Sequence, residues 1–158
     1  MNTPAHFRAP WSLKVKLMTA VVVIIIGGTY VISPLWASLP VVAILFGCFA
    51  FMVRGYSVTE DQILIHRLGW ATRFDLQALR EVYAAPGATL GSVRTFGVGG
   101  LFGYFGWFRN ATLGSYRAYA TNEEHTVVLE LADETIVITP DAPDDFVEAV
   151  NHARSEPA

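Results

Sequence analysis

A chain of 158 residues has room for one globular domain, and its single cysteine, Cys48, cannot close an internal disulfide. Hydrophobic residues make up 53% and charged residues only 16%, which is apolar-rich for an ordinary globular domain. Residues 1–54 hold Arg8, Lys14, Lys16 and Arg54 and no acid, whereas residues 55–158 hold the other seven cations and all 14 acids; a segment carrying −7 is unsuited to nonspecific contact with nucleic acid phosphates.

Residues 1–16 read as an N-terminal tail. From Leu17 to Val53 there is no charge, and Pro34 divides the run into 17–33 and 35–53. A run of about 20 apolar residues spans a bilayer as a helix, and proline disfavours helix in the residue before it, here Ser33. The pattern therefore predicts a transmembrane helical hairpin over 17–53. Lys14 and Lys16 precede it and Arg54 follows it, so both termini are expected on the cytoplasmic side of the inner membrane. Trp11, Tyr30 and Trp36 fall near the expected ends, where amphipathic rings favour the interface. Cys48 lies within the second run and reads as a small buried hydrophobe.

After Gly55 the texture changes to short alternating runs with turn signals. YSVT (56–59), QILIHRLG (62–69) and WATRFDL (70–76) read as three strands of a meander, and LREVYAAP (79–86) as a strand or one helical turn. SYRAYAT (115–121) is a further strand, and TVVLELA (126–132) and ETIVITP (134–140) form a hairpin turning at Ala132-Asp133. DAPDDFVEAVNHAR (141–154) reads as a helix: Asp141 can cap it, Pro143 suits its first turn, and Asp144 and Asp145 complement its dipole. Phe146, Val147, Val150 and Ala153 give it an apolar face, and residues 155–158 form a frayed tail. The expected fold is an α+β membrane protein. Its hairpin precedes a small antiparallel barrel or curved sandwich of about seven strands, capped by the C-terminal helix.

Several pieces carry a resemblance: YSVTEDQILI after two apolar helices, FDLxxLREV, the GxGGxxG segment at 97–103, YxAYAT, and ITPDAPDDF entering the last helix. With them, residues 55–154 resemble the bacterial pleckstrin-homology-like (PH) domain family in its membrane-anchored form. The resemblance implies a bent, barrel-like antiparallel sheet with a C-terminal helix, and it implies no catalytic residues. Many eukaryotic namesakes bind phosphorylated headgroups with cations around the first strand turn. This chain places Thr59-Glu60-Asp61-Gln62 there, and two acids repel phosphate. Arg67 and Arg73 flank the next turn and could touch one phosphate, although two separated cations are also an ordinary solvated face.

Residues 94–110, RTFGVGGLFGYFGWFRN, pose the sharpest question, with six aromatic residues and glycines at 97, 99, 100, 103 and 106. A dinucleotide fingerprint needs its third glycine where Phe102 stands, no P-loop lysine follows, and no βαβ context surrounds it. The twelve residues Gly97–Phe108, flanked by Arg94 and Arg109, are too few for a span. The stretch is read as a turn-prone insert. Its interface or interaction candidates are Phe102, Phe105, Trp107 and Phe108, flanked by Arg94 and Arg109, and the rings either rest on lipid or pack inward.

No catalytic, metal or cofactor residue is assigned. His6, His66, His125 and His152 lack ligand spacing, and Ser115, His125 and Asp133 form no recognisable nucleophile motif. Asn110-Ala111-Thr112 matches a glycosylation sequon, which has no role on a cytoplasmic face. The expected function is a noncatalytic, membrane-anchored interaction module. It meets the bilayer through 17–53, and binds a protein partner, another copy of itself or the membrane surface, without nucleic acid. The alternatives are an accessory subunit of a larger membrane complex, and an enzyme or small-ligand receptor using residues 97–108.

Overall fold

A computed structural model describes residues 4–32 and 35–155. In chain order the elements are β1 (Ala5–Arg8), α1 (Leu13–Ile32), α2 (Leu35–Ala50), β2 (Gly55–Val58), β3 (Gln62–His66), β4 (Ala71–Asp75), β5 (Leu79–Ala84), β6 (Val93–Gly99), β7 (Tyr104–Asn110), β8 (Gly114–Ala120), β9 (Val127–Leu131), β10 (Thr135–Ile138) and α3 (Pro143–Ser155). Two sheets result, a four-stranded one in the order β1-β2-β3-β4 and a six-stranded one in the order β5-β9-β10-β8-β7-β6. The α+β, sheet-rich body with a C-terminal helix agrees with the sequence pattern.

The transmembrane hairpin does not hold. Among the described residues no helix is long and apolar enough to cross a membrane. α2 has 16 residues, about 24 Å at 1.5 Å per residue, against a hydrocarbon core of about 30 Å. α1 has 20 residues, but it starts at Leu13 and takes Lys14 and Lys16 into its first turn, so only Leu17 to Ile32 is uncharged. A multi-pass inner-membrane protein is therefore not supported. The Ser33-Pro34 break and the Tyr30 and Trp36 rings lie outside the described residues, as does the tail from residue 156.

The N-terminal tail is part of the sheet. β1 pairs antiparallel with β2, Ala5 opposite Val58 and Arg8 opposite Gly55. Gly55 is required there, because a Cβ on it would stand 2.7 Å from the Phe7 carbonyl oxygen. Asp141 holds the same strand instead of capping α3: its carboxylate accepts the Arg8 N–H at 3.0 Å, and its own N–H donates to the Arg8 carbonyl at 3.0 Å. Ser12 then starts α1, its hydroxyl accepting from Val15 N–H at 3.2 Å while its own N–H donates to Thr121 O at 3.0 Å.

The remaining differences concern strand number and direction. The described residues hold ten strands, because β1 was not expected and residues 94–110 are strands β6 and β7, not an insert. All pairings are antiparallel except β8 with β10, which run parallel. After β8 the chain steps past one strand width to lay down β9, and β10 folds back into the gap. The β9–β10 hairpin is closed by Leu131 N–H to Glu134 O at 2.9 Å, at the expected turn.

The main core lies between the two sheets and α3, and includes Tyr56, Ile63, Ile65, Leu129, Ile136, Ile138, Phe146 and Val150. Phe146 and Val150 are fully buried, each contributing about 1.5–3 kcal/mol of burial. The Phe146 ring meets Phe7 edge-on at 5.1 Å, so β1 and α3 brace each other. Tyr56 donates to Tyr119 O at 2.6 Å and accepts from Thr139 N–H at 3.2 Å. Burial pushes its phenol up to about 12, opposed by the Thr139 hydrogen bonds.

Candidate functional site

The six-stranded sheet is wider than the four-stranded one. Its β5, β9 and β10 strands contribute to the closed core, β8 reaches it through Tyr119, and β7 and β6 extend beyond it. On this overhang the register sets Phe96, Trp107 and Arg117 in one row and Val98, Phe105 and Tyr119 in the next. Alternation turns both rows to the same side. That side faces α2, which presents Ile44, Gly47 and Cys48 at helical i, i+3, i+4 spacing, with Phe51 just past its end. Between them lies a groove of about 420 Å³, with Arg67 entering from the turn after β3. Its size falls within the usual range of small-molecule sites.

The floor depends on two glycines. Gly97 and Gly106 face each other across β6 and β7, with φ of 114° and 125°. A Cβ on either would fall 2.2 or 2.3 Å from a backbone oxygen of the opposite strand. A left-handed conformation and a close backbone approach thus coincide, and only glycine satisfies both.

Arg67 and Arg117 share one aromatic ring. Their guanidinium carbons lie 5.0 and 5.4 Å from the Tyr119 centroid. Arg67 also stands over Phe51 at 5.3 Å and Trp70 at 5.8 Å, and Arg117 over Trp107 at 5.7 Å. Cation–π attraction holds both cations, and a long ion pair with Glu134 at 3.9 Å also reaches Arg117. The Arg67 Nε and the Tyr119 hydroxyl are buried and have no hydrogen-bond partner. Leaving such a group unsatisfied costs about 1–3 kcal/mol. Among the described residues no Asp or Glu lines the groove. The Arg117–Glu134 ion pair is too long for a hydrogen bond. Burial holds the Arg67 guanidinium below its ordinary value, the Tyr119 hydroxyl partly opposes this, and the Arg117 charge adds to it. Burial likewise raises the Tyr119 phenol, with Arg117 and Arg67 pulling it back.

The aromatic candidates separate. Phe105 is buried on the groove side, and Phe108 is buried on the opposite side against Tyr116, with ring centroids 6.0 Å apart. Phe102 packs edge-on against Trp11 at 6.1 Å and Phe49 at 5.6 Å, beneath both N-terminal helices. Its N–H donates to the Thr19 hydroxyl at 3.1 Å, and its φ is 58°. Trp107 is 40% exposed at the groove, beside Phe96 at 76%. Arg94 and Arg109 are exposed, and neither lines the groove. Cys48 is half-buried on the groove wall, and burial raises its thiol. Arg67 and Arg73, read together from the sequence, part company: Arg73 is exposed on β4 opposite Leu64.

A second constellation lies where β1, β2 and β3 meet. The Ser57 Oγ is 2.6 Å from His6 Nδ1 and 2.6 Å from His66 Nε2. The single hydroxyl proton serves one ring and the oxygen accepts from the other, which pins β1 across β2. Ser57 is fully buried, so its oxygen has no approach for a substrate. Ser115, His125 and Asp133 stay apart in role: Ser115 lies on β8, Asp133 in the β9–β10 turn, and His125 Nδ1 is 3.1 Å from Pro140 O. Among the described residues no group of three His, Cys, Asp or Glu side chains is placed to hold a metal.

Comparison with protein families matches residues 54–154 to a model described as a bacterial PH domain. Comparisons with curated proteins and with solved structures found no match. The match begins one residue before β2, so β1, α1 and α2 precede the matched span.

Proposed function

The chain belongs to the bacterial PH domain family, and from that premise we propose that it docks a protein partner through its two N-terminal helices. PH domains are typically noncatalytic modules that meet proteins or lipids. The observation that carries the reading is the exposure of α1. Val21, Val23, Ile24 and Ile25 are all exposed, Ile24 at 71%. Successive residues in a helix are separated by about 100°, so these side chains cannot share one face. A helix that is apolar all round is stable in water only when something covers it. Phe46 on α2 is likewise 65% exposed.

A partner with its own apolar surface fits that need, whether another chain or a second copy of this one. Contact with a lipid surface by the aromatic stretch has less support. Phe105 and Phe108 are buried and Phe102 lies beneath the helices, which leaves Trp107 and Phe96 outward. A photocrosslinking residue placed in living cells at Ile24 or Phe46 is expected to capture a discrete polypeptide, and one at exposed Glu81 is not. Capture that is absent at both helix positions, or equal at all three, contradicts the reading.

A further inference from the structure

We propose that the groove between α2 and strands β6–β8 binds an anionic amphiphile, with one carboxylate or phosphate head on Arg67, Arg117 and the Tyr119 hydroxyl and an apolar chain along Ile44, Phe96 and Trp107. This rests on the groove alone and stands apart from helix docking. Two observations point independently to an anion. The first is charge: two guanidinium groups face one ring, no carboxylate among the described residues lines the groove, and of the two only Arg117 has an ion-pair partner among those residues, a long one to Glu134 at 3.9 Å. The second is unmet hydrogen bonding. Tyr119 is only 2% exposed, yet its hydroxyl, like the buried Arg67 Nε, has no partner. Both atoms are donors, and a single oxyanion between them satisfies both while neutralising the repulsion between the two cations.

The rest of the wall sets the class. Beyond the two arginines the groove is lined by aliphatic and aromatic side chains, Cys48 and glycines, so a nucleotide or sugar phosphate would leave most of its polar groups unpaired there. Gly47 opens the α2 wall, since a Cβ built on it meets nothing within 4 Å. An acyl chain can occupy that space beside Phe96, which is 76% exposed, and Trp107. Arg67 follows the opposite end of β3 from the Glu60-Asp61 turn, whose acids repel phosphate.

The test is calorimetric titration of the full-length chain, in detergent-free buffer, with dodecanoate, dodecyl phosphate and dodecyltrimethylammonium, alongside sedimentation with phosphatidylglycerol vesicles. The anionic probes are expected to bind and the cationic one is not. Arg67→Met and Arg117→Met should each weaken binding about tenfold or more, while Arg109→Met leaves it unchanged. Gly47→Leu fills the groove and should abolish binding with a melting temperature no lower than the parent's. Arg67-dependent binding of monomeric dodecanoate identifies a free acid as the source, and Arg67-dependent vesicle binding alone identifies a lipid headgroup; either supports the site. Equal binding of the cationic probe, unchanged affinity in both arginine variants, or no binding of any anionic probe or vesicle overturns it.

Discussion

One side of the six-stranded sheet has two different covers. Over β5, β9 and β10 it meets the four-stranded sheet and α3, and residues such as Leu129, Ile136 and Ile138 are fully buried in a closed apolar core. Over β7, β6 and the outer part of β8 it meets α2, and two arginines stand in the gap, with Tyr119 at the seam also packing on Phe74 in the core. The strands run on from one half to the other, so backbone geometry does not distinguish them. The cover does: a sheet and an amphipathic helix exclude water and tolerate no unpaired charge, whereas a single helix leaves a groove where charge and unsatisfied donors persist. The closed half gives stability, and the open half has the chemistry of a binding site.

Substitutions should separate the halves most clearly by stability. Phe146→Ala, in the closed half, is expected to cost about 3–5 kcal/mol in chemical denaturation. Gly97→Ala should also cost more than about 3 kcal/mol, since it adds left-handed strain to a backbone clash. A loss under about 1 kcal/mol there would mean that the groove floor is not built as described.

Alkali probes the closed half more gently. Tyr56 binds its proton more tightly when folded, up to about 12 against an ordinary value near 10. Its contribution is therefore complete below about pH 10 and is lost as pH rises towards 12. Melting temperatures should fall across that window, and Tyr56→Phe should make the fall shallower. The other raised tyrosines keep some slope in the variant.

The open half should respond in the opposite sense. Arg67→Met removes a half-buried charge that lacks a carboxylate partner, so stability should stay level or rise by about 1 kcal/mol. A loss of several kcal/mol would make Arg67 a structural residue and erase the contrast. Trp107→Ser should have the smallest effect, within about 1 kcal/mol, because its ring is part-exposed.

The closed half was the legible half. Ile63 and Ile65, alternating with Leu64 and His66, announce β3, and turn signals bound the β9–β10 hairpin. Phe146 and Val150 at helical spacing mark the inner face of α3. What escaped reading depends on distant partners. AHFR has no strand signature of its own, and β1 exists because Gly55, Asp141 and Phe146 receive it. Residues 94–110 read as turns because glycine usually breaks strands, but here Gly97 and Gly106 sit opposite each other and permit the pairing. The groove was least legible. Arg67 and Arg117 are 50 positions apart in sequence, and the face of α2 toward them is hidden in a run that is apolar on every side. The length of each uncharged run suggested a span until Lys14 and Lys16 fell inside α1 and α2 closed at 16 residues.

The most direct measurement follows the side-chain Nε–H resonance of Arg67 in the full-length chain while dodecanoate is added. A buried donor that finds an oxyanion should shift strongly and exchange slowly with water, and Arg109 should not move. An Arg67 signal unchanged at saturating dodecanoate would contradict the claim that the open half of the sheet is a binding site.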